Sequence, residues 1–285
     1  MFKKILFYFS ILLIFSSCYQ TRIKEKKEWG VFFEKQGIKN ACFELIDHTH
    51  ESVYYYNLDR CSQRFTPAST FKIFNSLVAL ETAVAPNDLL IIKWDSIKRM
   101  PEWDKDMDMR EAFKVSCVPY YQEIARRIGP GRMQHFLDTV KYGNMNMGTH
   151  IDDFWLNDSL KISVDEQLTF LKKMYFTELP FSERAQRMVK VFMLREQTPL
   201  YNLYYKTGTS IRGTKKIAWI VGFAERILNI KEEKESMNKT DQRYYPYFFS
   251  ENFEIPEKDN SDDNMKEIRL TILHDILKDY GVIPK

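Results

Sequence analysis

The order of strand-like and helix-like segments predicts an α+β fold: a mixed antiparallel sheet flanked by helices, with a helical lobe inserted into it. Strand patterns occur towards both ends of the chain, whereas amphipathic helix patterns dominate residues 83–195. Both ends are therefore expected to build one sheet around the inserted lobe. The chain has 285 residues, of which 44% are hydrophobic, which is enough for one large domain.

Residues 1–17 are typical of an export signal. Lysines at positions 3 and 4 precede an apolar stretch, residues 5–15, that is too short for an ordinary membrane span. Small residues and then Cys18 follow, which favours a lipoprotein signal in which Cys18 becomes the lipidated first residue. Cleavage without lipidation remains the alternative. The protein is thus expected in the periplasm, either free or tethered to a membrane through Cys18.

The folded domain is expected over residues 29–285. The preceding residues 18–28 are polar and basic, and they predict a flexible tether. The first strands of the domain are predicted at Ala41–Asp47 and Ser52–Tyr56, because β-branched and aromatic residues flank a polar turn. Together they predict a hairpin of the antiparallel sheet.

The inserted lobe is predicted to be helical, with a break at Gly129-Pro130-Gly131. Its helices are expected at Met109–Val115, Tyr120–Ile128, Met133–Val140, Val164–Met174 and Glu183–Met193.

Strands and a last helix are predicted after the lobe. The strands are expected at Tyr201–Lys206, Lys216–Glu225 and Tyr245–Ile255, the charged segment Lys231–Arg243 as an exposed loop, and the helix at Glu267–Tyr280 with Gly281 ending it.

The segment Ser69-Thr70-Phe71-Lys72 has the spacing of a serine nucleophile and its base. If the apolar run after Pro67 is a helix, Ser69 and Lys72 lie one turn apart on the same face. A serine hydroxyl needs a base to take its proton, and a lysine serves as that base only when its surroundings keep it neutral or when it is modified. Free backbone N–H groups at the helix start would favour an oxyanion. Alternatively, Ser69 is a helix cap and Lys72 a surface residue.

The net charge and the cysteine and histidine spacing give no indication of nucleic-acid or metal binding. The net charge of +3 gives no reason to expect a nucleic-acid partner. Neither a Cys-x-x-Cys motif nor metal-ligand spacing among the histidines occurs, so no metal is predicted. Cys42 and Cys61 both lie in the early strand region, where a disulfide after export remains open.

Further short motifs follow in the order that serine acyl-transfer chemistry requires. Ser116-Cys117-Val118 falls between two predicted helices, where a second serine can relay protons. Tyr142-Gly143-Asn144 follows a helix as a loop. Lys206-Thr207-Gly208-Thr209 ends an aromatic strand, where Gly208 lets a substrate approach the backbone. The N–H groups of Ser69 and Thr209 are the candidate oxyanion donors. Ser-x-x-Lys with a downstream Lys-Thr-Gly is typical of penicillin-recognising serine enzymes.

From about residue 40 to its end, the sequence resembles the class D (OXA-type) serine β-lactamases. The resemblance rests on Arg64–Ile73 around the nucleophile and on a Ser-x-Val motif at Ser116, where other penicillin-recognising enzymes carry Ser-Asp-Asn. It extends through Tyr142-Gly143-Asn144, the loop Ile151–Leu156 and Trp219-Ile220-Val221-Gly222. It implies the β-lactamase and penicillin-binding-protein transpeptidase-like fold, and an antibiotic-resistance enzyme that hydrolyses the lactam amide of β-lactams.

The resemblance also implies roles for individual residues. Lys72 matches a lysine that carries a carbamate formed from CO₂, for which Trp155 would supply an indole N–H; no other cofactor is implied. That carbamate would activate Ser69 and later the hydrolytic water, while Ser116 and Lys206 pass a proton to the leaving nitrogen. Substrate contacts are expected from Val118, Thr207, Gly208, Thr209 and Arg269, with the Arg269 guanidinium on the drug carboxylate.

Two rival functions share this chemistry. A penicillin-sensing receptor domain is acylated and stays acylated, whereas a cell-wall DD-peptidase is trapped by penicillin. The sequence has no His-Glu-x-x-His protease motif, which argues against a sensor, and Ser-x-Val with Trp155 argues against a peptidase. No obligate protein partner is predicted. The sequence leaves open the oligomeric state and the spectrum of β-lactams.

Overall fold

The computed structural model describes residues 22–212, 215–231, 240–256 and 262–285, and a mixed sheet is the centre of the fold. Seven strands lie side by side in the order β1-β3-β2-β7-β6-β5-β4. They are β1 (Arg22–Glu25), β2 (Ala41–Asp47), β3 (Ser52–Tyr56), β4 (Leu194–Gln197), β5 (Tyr201–Arg212), β6 (Lys215–Lys231) and β7 (Thr240–Glu254).

The pairing of β2 with β7 joins the two ends of the chain in one sheet. These strands run antiparallel, with Ala41 opposite Phe253 and Asp47 opposite Tyr247. The other pairs are also antiparallel, except that β1 lies parallel to β3. The predicted fold class, a mixed sheet made by both chain ends, is confirmed.

Helices cover both faces of the sheet. They are α1 (Gly30–Glu34), α2 (Leu58–Cys61), α3 (Lys72–Glu81), α4 (Met109–Lys114), α5 (Val118–Ile128), α6 (Pro130–Val140), α7 (Val164–Tyr175), α8 (Glu183–Met193) and α9 (Asp262–Tyr280). The predicted helices of the lobe are all present, and the break near Gly129 separates α5 from α6. None of the helices in the described ranges is both long and apolar enough to cross a membrane.

The sheet separates two hydrophobic cores. The larger core lies between the sheet and helices α3 to α8, and it contains Phe71, Phe74 and Trp155. The smaller core lies between the other face and helices α1 and α9, and it contains Trp29 and Leu273. Alternate residues of the central strands enter opposite cores, so this sheet is buried on both faces.

Two predictions from the sequence are wrong. Arg22–Glu25, assigned to a flexible tether, is an exposed strand whose backbone pairs with β3. The loop predicted over Lys231–Arg243 is wrong only at its ends, where Lys231 belongs to β6 and residues 240–243 belong to β7; residues 232–239 lie outside the described residues. Polar composition misleads at Arg22–Glu25 because backbone pairing can hold a strand whose side chains are in water. The predicted signal, residues 1–17, and Cys18 lie outside the described residues.

Strand β5 runs further than its aromatic pattern predicts, to Arg212, because each residue through Arg212 has a partner on β6. The short β4 pairs only with residues 202–204 of β5. The later part of β5, with Lys206 and Gly208, is therefore left to face the turn that carries Ser69.

The three cysteines in the described ranges, Cys42, Cys61 and Cys117, are buried free thiols. No disulfide joins Cys42 to Cys61 in this structure.

Candidate active site

Ser69 lies in a tight turn that leads directly into helix α3. The turn is a 3₁₀ helix, Ala68–Phe71, and α3 begins at Lys72. Ala68 has a φ of 49°, a left-handed conformation that is unusual for alanine, and its N–H donates to the carbonyl of Trp155 at 3.0 Å. The loop that carries Trp155 therefore holds the backbone conformation that presents Ser69 at the start of the helix.

The side-chain nitrogen of Lys72 contacts the candidate nucleophile, Ser69. Nζ of Lys72 donates to Oγ of Ser69 at 2.9 Å. Lys72 is fully buried, and burial lowers its pKa to about 7, while the neighbouring Cys117 opposes the change. A substantial fraction of Lys72 is therefore neutral near neutral pH, so the alternative of an exposed surface lysine is wrong.

Aromatic rings form the walls around Lys72. The ring of Tyr121 lies 5.4 Å from Nζ. Trp155 is fully buried and stacks on Phe71 with 5.3 Å between ring centroids. Val118 and Leu156 are half-buried. Tyr121 was not predicted, since only its position on α5 beside α3 brings it to the lysine.

The indole N–H of Trp155 has no hydrogen-bond acceptor among the described residues. Buried N–H groups are almost always paired, and an unpaired one costs about 1–3 kcal/mol. Trp155 thus offers a donor to an acceptor group next to Phe71, the residue that precedes Lys72.

Ser116 and Lys206 form a second pair of hydroxyl and amine. Nζ of Lys206 donates to Oγ of Ser116 at 3.0 Å and to the carbonyl of Thr207 at 2.9 Å. Burial, and then the nearby positive charge of Lys72, lower the pKa of Lys206 well below its usual value. Ser116 has a φ of 61° in the connection between α4 and α5. The structure therefore brings together two residues that are 90 positions apart in sequence.

Gly208 allows strand β5 to pass directly beside the nucleophile. A Cβ atom at Gly208 would lie 2.8 Å from the carbonyl oxygen of Pro67 and 3.2 Å from the backbone N of Ser69. Any side chain would push the strand away from the turn. The close approach places the backbone of β5 next to the backbone N–H of Ser69.

Arg269 reaches the same strand from helix α9. Its Nη2 donates to Oγ1 of Thr209 at 2.5 Å. Thr207 and Thr209 are both half-buried and lie two residues apart, hence on one face of β5. The predicted binding residues Thr209 and Arg269 are therefore in contact, and Thr207 shares their face.

A layer of polar groups supports the nucleophile turn from behind. Gln167 on α7 donates to Oγ1 of Thr70 at 2.8 Å, and Thr70 donates to the carbonyl of Pro67 at 2.8 Å. Tyr142 is buried and donates weakly to Gln167 at 3.4 Å, so the Tyr-Gly-Asn motif is part of this support. No motif in the sequence indicated Gln167 or Thr70.

Comparison with known proteins gives consistent matches. Residues 31–234 match the family described as the penicillin binding protein transpeptidase domain. The chain is 36% identical to β-lactamase OXA-48 of Klebsiella pneumoniae, over 92% of this chain and 91% of the relative. It is 34% identical to β-lactamase OXA-10 of Pseudomonas aeruginosa, over 97% of each chain. The crystal structure of the class D β-lactamase YbXI from Nostoc superposes with a TM-score of 0.79 at 38% identity, covering 90% of this chain and 100% of that one.

Proposed function

The chain belongs to the class D β-lactamases, and we propose that it opens penicillin-type lactams through an acyl-enzyme on Ser69. Its relatives make it a serine β-lactamase, a hydrolase that acts on cyclic amides, of the kind that confers antibiotic resistance. The observation that supports Ser69 best is the 2.9 Å contact between its Oγ and Nζ of the fully buried Lys72. This contact provides a nucleophile and a base within proton-transfer distance.

We propose that CO₂ adds to the neutral amine of Lys72, forming an N–C bond and releasing one amine proton to solvent, to give a carbamate anion. Two observations support the fit: the pKa of Lys72 is lowered to about 7 by burial, and the N–H of Trp155 has no acceptor among the described residues. A neutral amine is the form that reacts with CO₂, and the indole N–H would hold the resulting anion. As a carbamate, Lys72 would supply the general base for both acylation and deacylation.

Ser116 and Lys206 are proposed to deliver the proton to the departing lactam nitrogen. Their 3.0 Å hydrogen bond gives a short path, and the lowered pKa of Lys206 makes its ammonium a better acid than an ordinary lysine. Ser116, at the end of this proton path, is the group that would contact the leaving nitrogen.

The developing oxyanion is proposed to bind the backbone N–H groups of Ser69 and Thr209. The close approach of β5 at Gly208 supports this pairing. Arg269 would bind the drug carboxylate together with Thr207 and Thr209, since its guanidinium already lies at the Thr209 hydroxyl. Val118, at the first turn of α5, would contact the substrate from the opposite side.

Export and anchoring are proposals that rest on the sequence. Residues 1–17 have the pattern of a signal peptide, and lipidation of Cys18 would tether the enzyme to a membrane on the periplasmic side. Mass spectrometry of the mature protein, isolated from the membrane fraction, would identify the first residue and any attached lipid.

Turnover of benzylpenicillin by the purified domain, followed by intact mass, tests the proposed activity. Many turnovers per chain with little residual adduct are expected. Consumption of one equivalent with a stable adduct on Ser69 would instead indicate a sensor or a DD-peptidase, whose acylation chemistry is shared with the matched transpeptidase family.

A further inference from the structure

A second group of reactive side chains lies in the larger core, under strand β2. Cys42 and Glu44 lie two residues apart on β2, Cys61 ends α2, and Asp165 is in the first turn of α7. Sγ of Cys61 and one oxygen each of Glu44 and Asp165 all lie within 4.8 Å of one another. The thiol of Cys42 is a hydrogen-bonding neighbour of Cys61.

The two carboxylates of this group lack the partners that buried acids require. Glu44 is only 7% exposed. Oε2 of Glu44 and Oδ1 of Asp165 accept no hydrogen bond from an N–H or hydroxyl group of the described residues, and the two carboxyl groups lie within hydrogen-bonding reach of each other. Burying a carboxylate without compensation costs several kcal/mol, on the order of the stability of a whole domain. Two neighbouring carboxylates therefore need either a shared proton or a cation.

The thiols favour a bound cation over a shared proton. A shared proton would neutralise the acids but would leave the Cys61 thiol with only long hydrogen bonds, 3.8 Å to the carbonyl of Phe43 and 3.7 Å to that of Tyr56, although its sulfur lies among the same oxygens. Sulfur together with carboxylate oxygen is a donor set that Zn²⁺ accepts, whereas Ca²⁺ and Mg²⁺ prefer oxygen alone. We propose that Cys42, Glu44, Cys61 and Asp165 bind one Zn²⁺ ion.

The proposed site is structural. Glu44, Cys61 and Asp165 form the cluster and Cys42 adjoins it at Cys61; all four are buried or half-buried, and four protein donors are what a structural Zn²⁺ site requires. Binding would release the thiol protons to solvent as the thiolates coordinate the ion. The ion would tie α2 and α7 to β2, and α7 carries Gln167, which holds Thr70 beside the nucleophile. The proposal does not depend on the chemistry proposed at Ser69.

Sequence spacing could not have indicated this site. The chain has no Cys-x-x-Cys motif, and the sequence therefore predicts no metal. The four donors come from three separate elements between residues 42 and 165, and only the pairing of β2 and the packing of α7 against the sheet bring them together.

Zinc content of the exported chain tests the proposal. The protein is treated with a chelator, loaded with Zn²⁺ alone, passed through gel filtration and analysed for metal. We expect one equivalent of Zn²⁺ per chain and a higher Tm than the chelated protein. Substitution with Co²⁺ should give a thiolate-to-cobalt charge-transfer band. Glu44→Gln and Cys61→Ser should each bind Zn²⁺ more than about tenfold more weakly.

Glu251→Gln is the matched control. Glu251 is fully buried and both its oxygens lack hydrogen bonds among the described residues, but it points towards Arg269 on the other face of the sheet. This variant should retain the metal. Wild-type protein without retained zinc would overturn the proposal even if the variants fail to fold. An equal loss of Zn²⁺ binding in Glu251→Gln and Glu44→Gln would also overturn the proposal. A Cys42–Cys61 disulfide in the exported protein would do the same.

Discussion

At the scale of single residues, the site depends on amines that are kept out of water. Lys72 and Lys206 are both buried, and burial is the largest cause of the lowered pKa of each. Each amine contacts a serine hydroxyl, so the site contains two hydroxyl–amine pairs. Desolvation thus lowers the pKa of both amines, as the proposed roles of Lys72 as a base and Lys206 as an acid require.

Replacing Lys72 by alanine should remove most of the turnover and leave the fold intact. The change removes the proposed base and a buried amine, and the surrounding packing of α3 is retained. We expect kcat for benzylpenicillin to fall by about 10²–10⁴-fold, the usual contribution of a general base, with an unchanged circular dichroism spectrum. The control is Lys173→Ala, which removes an exposed lysine of α7. Wild-type turnover in Lys72→Ala would rule out the proposed base.

Activity should depend on CO₂ more strongly at low pH. Because the pKa of Lys72 is about 7, the neutral amine is abundant above this pH and scarce below it. Removing dissolved CO₂ should slow the enzyme, and added bicarbonate should restore the initial rate, with a higher bicarbonate requirement below pH 7 than above it. Activity that ignores bicarbonate at every pH would argue against a reversible carbamate.

At the scale of elements, two segments position the nucleophile. Strand β5 lies against the Ser69 turn, with Gly208 as the point of closest approach. Helix α7 supports the turn from the other side, and its first turn is fixed by a capping box in which Ser163 and Glu166 each bind the other's backbone N–H. The turn is thus held between a strand and a capped helix, which limits its freedom before substrate arrives.

Gly208→Ala should reduce activity through the backbone. The new methyl group would lie 2.8 Å from the carbonyl oxygen of Pro67, so β5 must move away from Ser69. We expect kcat/KM for benzylpenicillin to fall at least about tenfold, equivalent to ~1.4 kcal/mol in the barrier. The control is Gly131→Ala on α6, where a Cβ meets nothing within 4 Å and alanine favours the helix. Equal activity in both variants would contradict the proposed oxyanion geometry.

At the scale of the whole molecule, the sheet connects distant parts of the chain. Strand β7 pairs with β2 and is followed in the chain by the last helix, α9. Arg269 on α9 in turn contacts Thr209 of β5, a strand that follows the lobe. The proposed nucleophile, proton relay and carboxylate anchor therefore come from the start, middle and end of the sequence. The edge strand β1 contributes least, because all its side chains are exposed.

A chain that begins at Lys26, without β1, should fold and keep its activity. The deletion removes the parallel pairing with β3 but no residue of either core. Compared with a chain that begins at residue 19, we expect the same kcat and a Tm lower by at most about 4 °C, or ~1 kcal/mol at this size. A loss of kcat would show that the amino-terminal strand supports the site in a way that its contacts do not explain.

The fold class, the helices of the lobe and the motifs around Ser69, Ser116 and Lys206 could all be predicted from local sequence patterns. These features are local, since helix periodicity, turn residues and short motifs are written within a few neighbouring positions. The contacts between distant side chains follow from the tertiary structure: Lys206 with Ser116, Gln167 with Thr70, and Cys61 with Glu44 and Asp165 under β2. Such contacts depend on strand register and on how helices pack across the sheet, and residue spacing along the chain predicts neither.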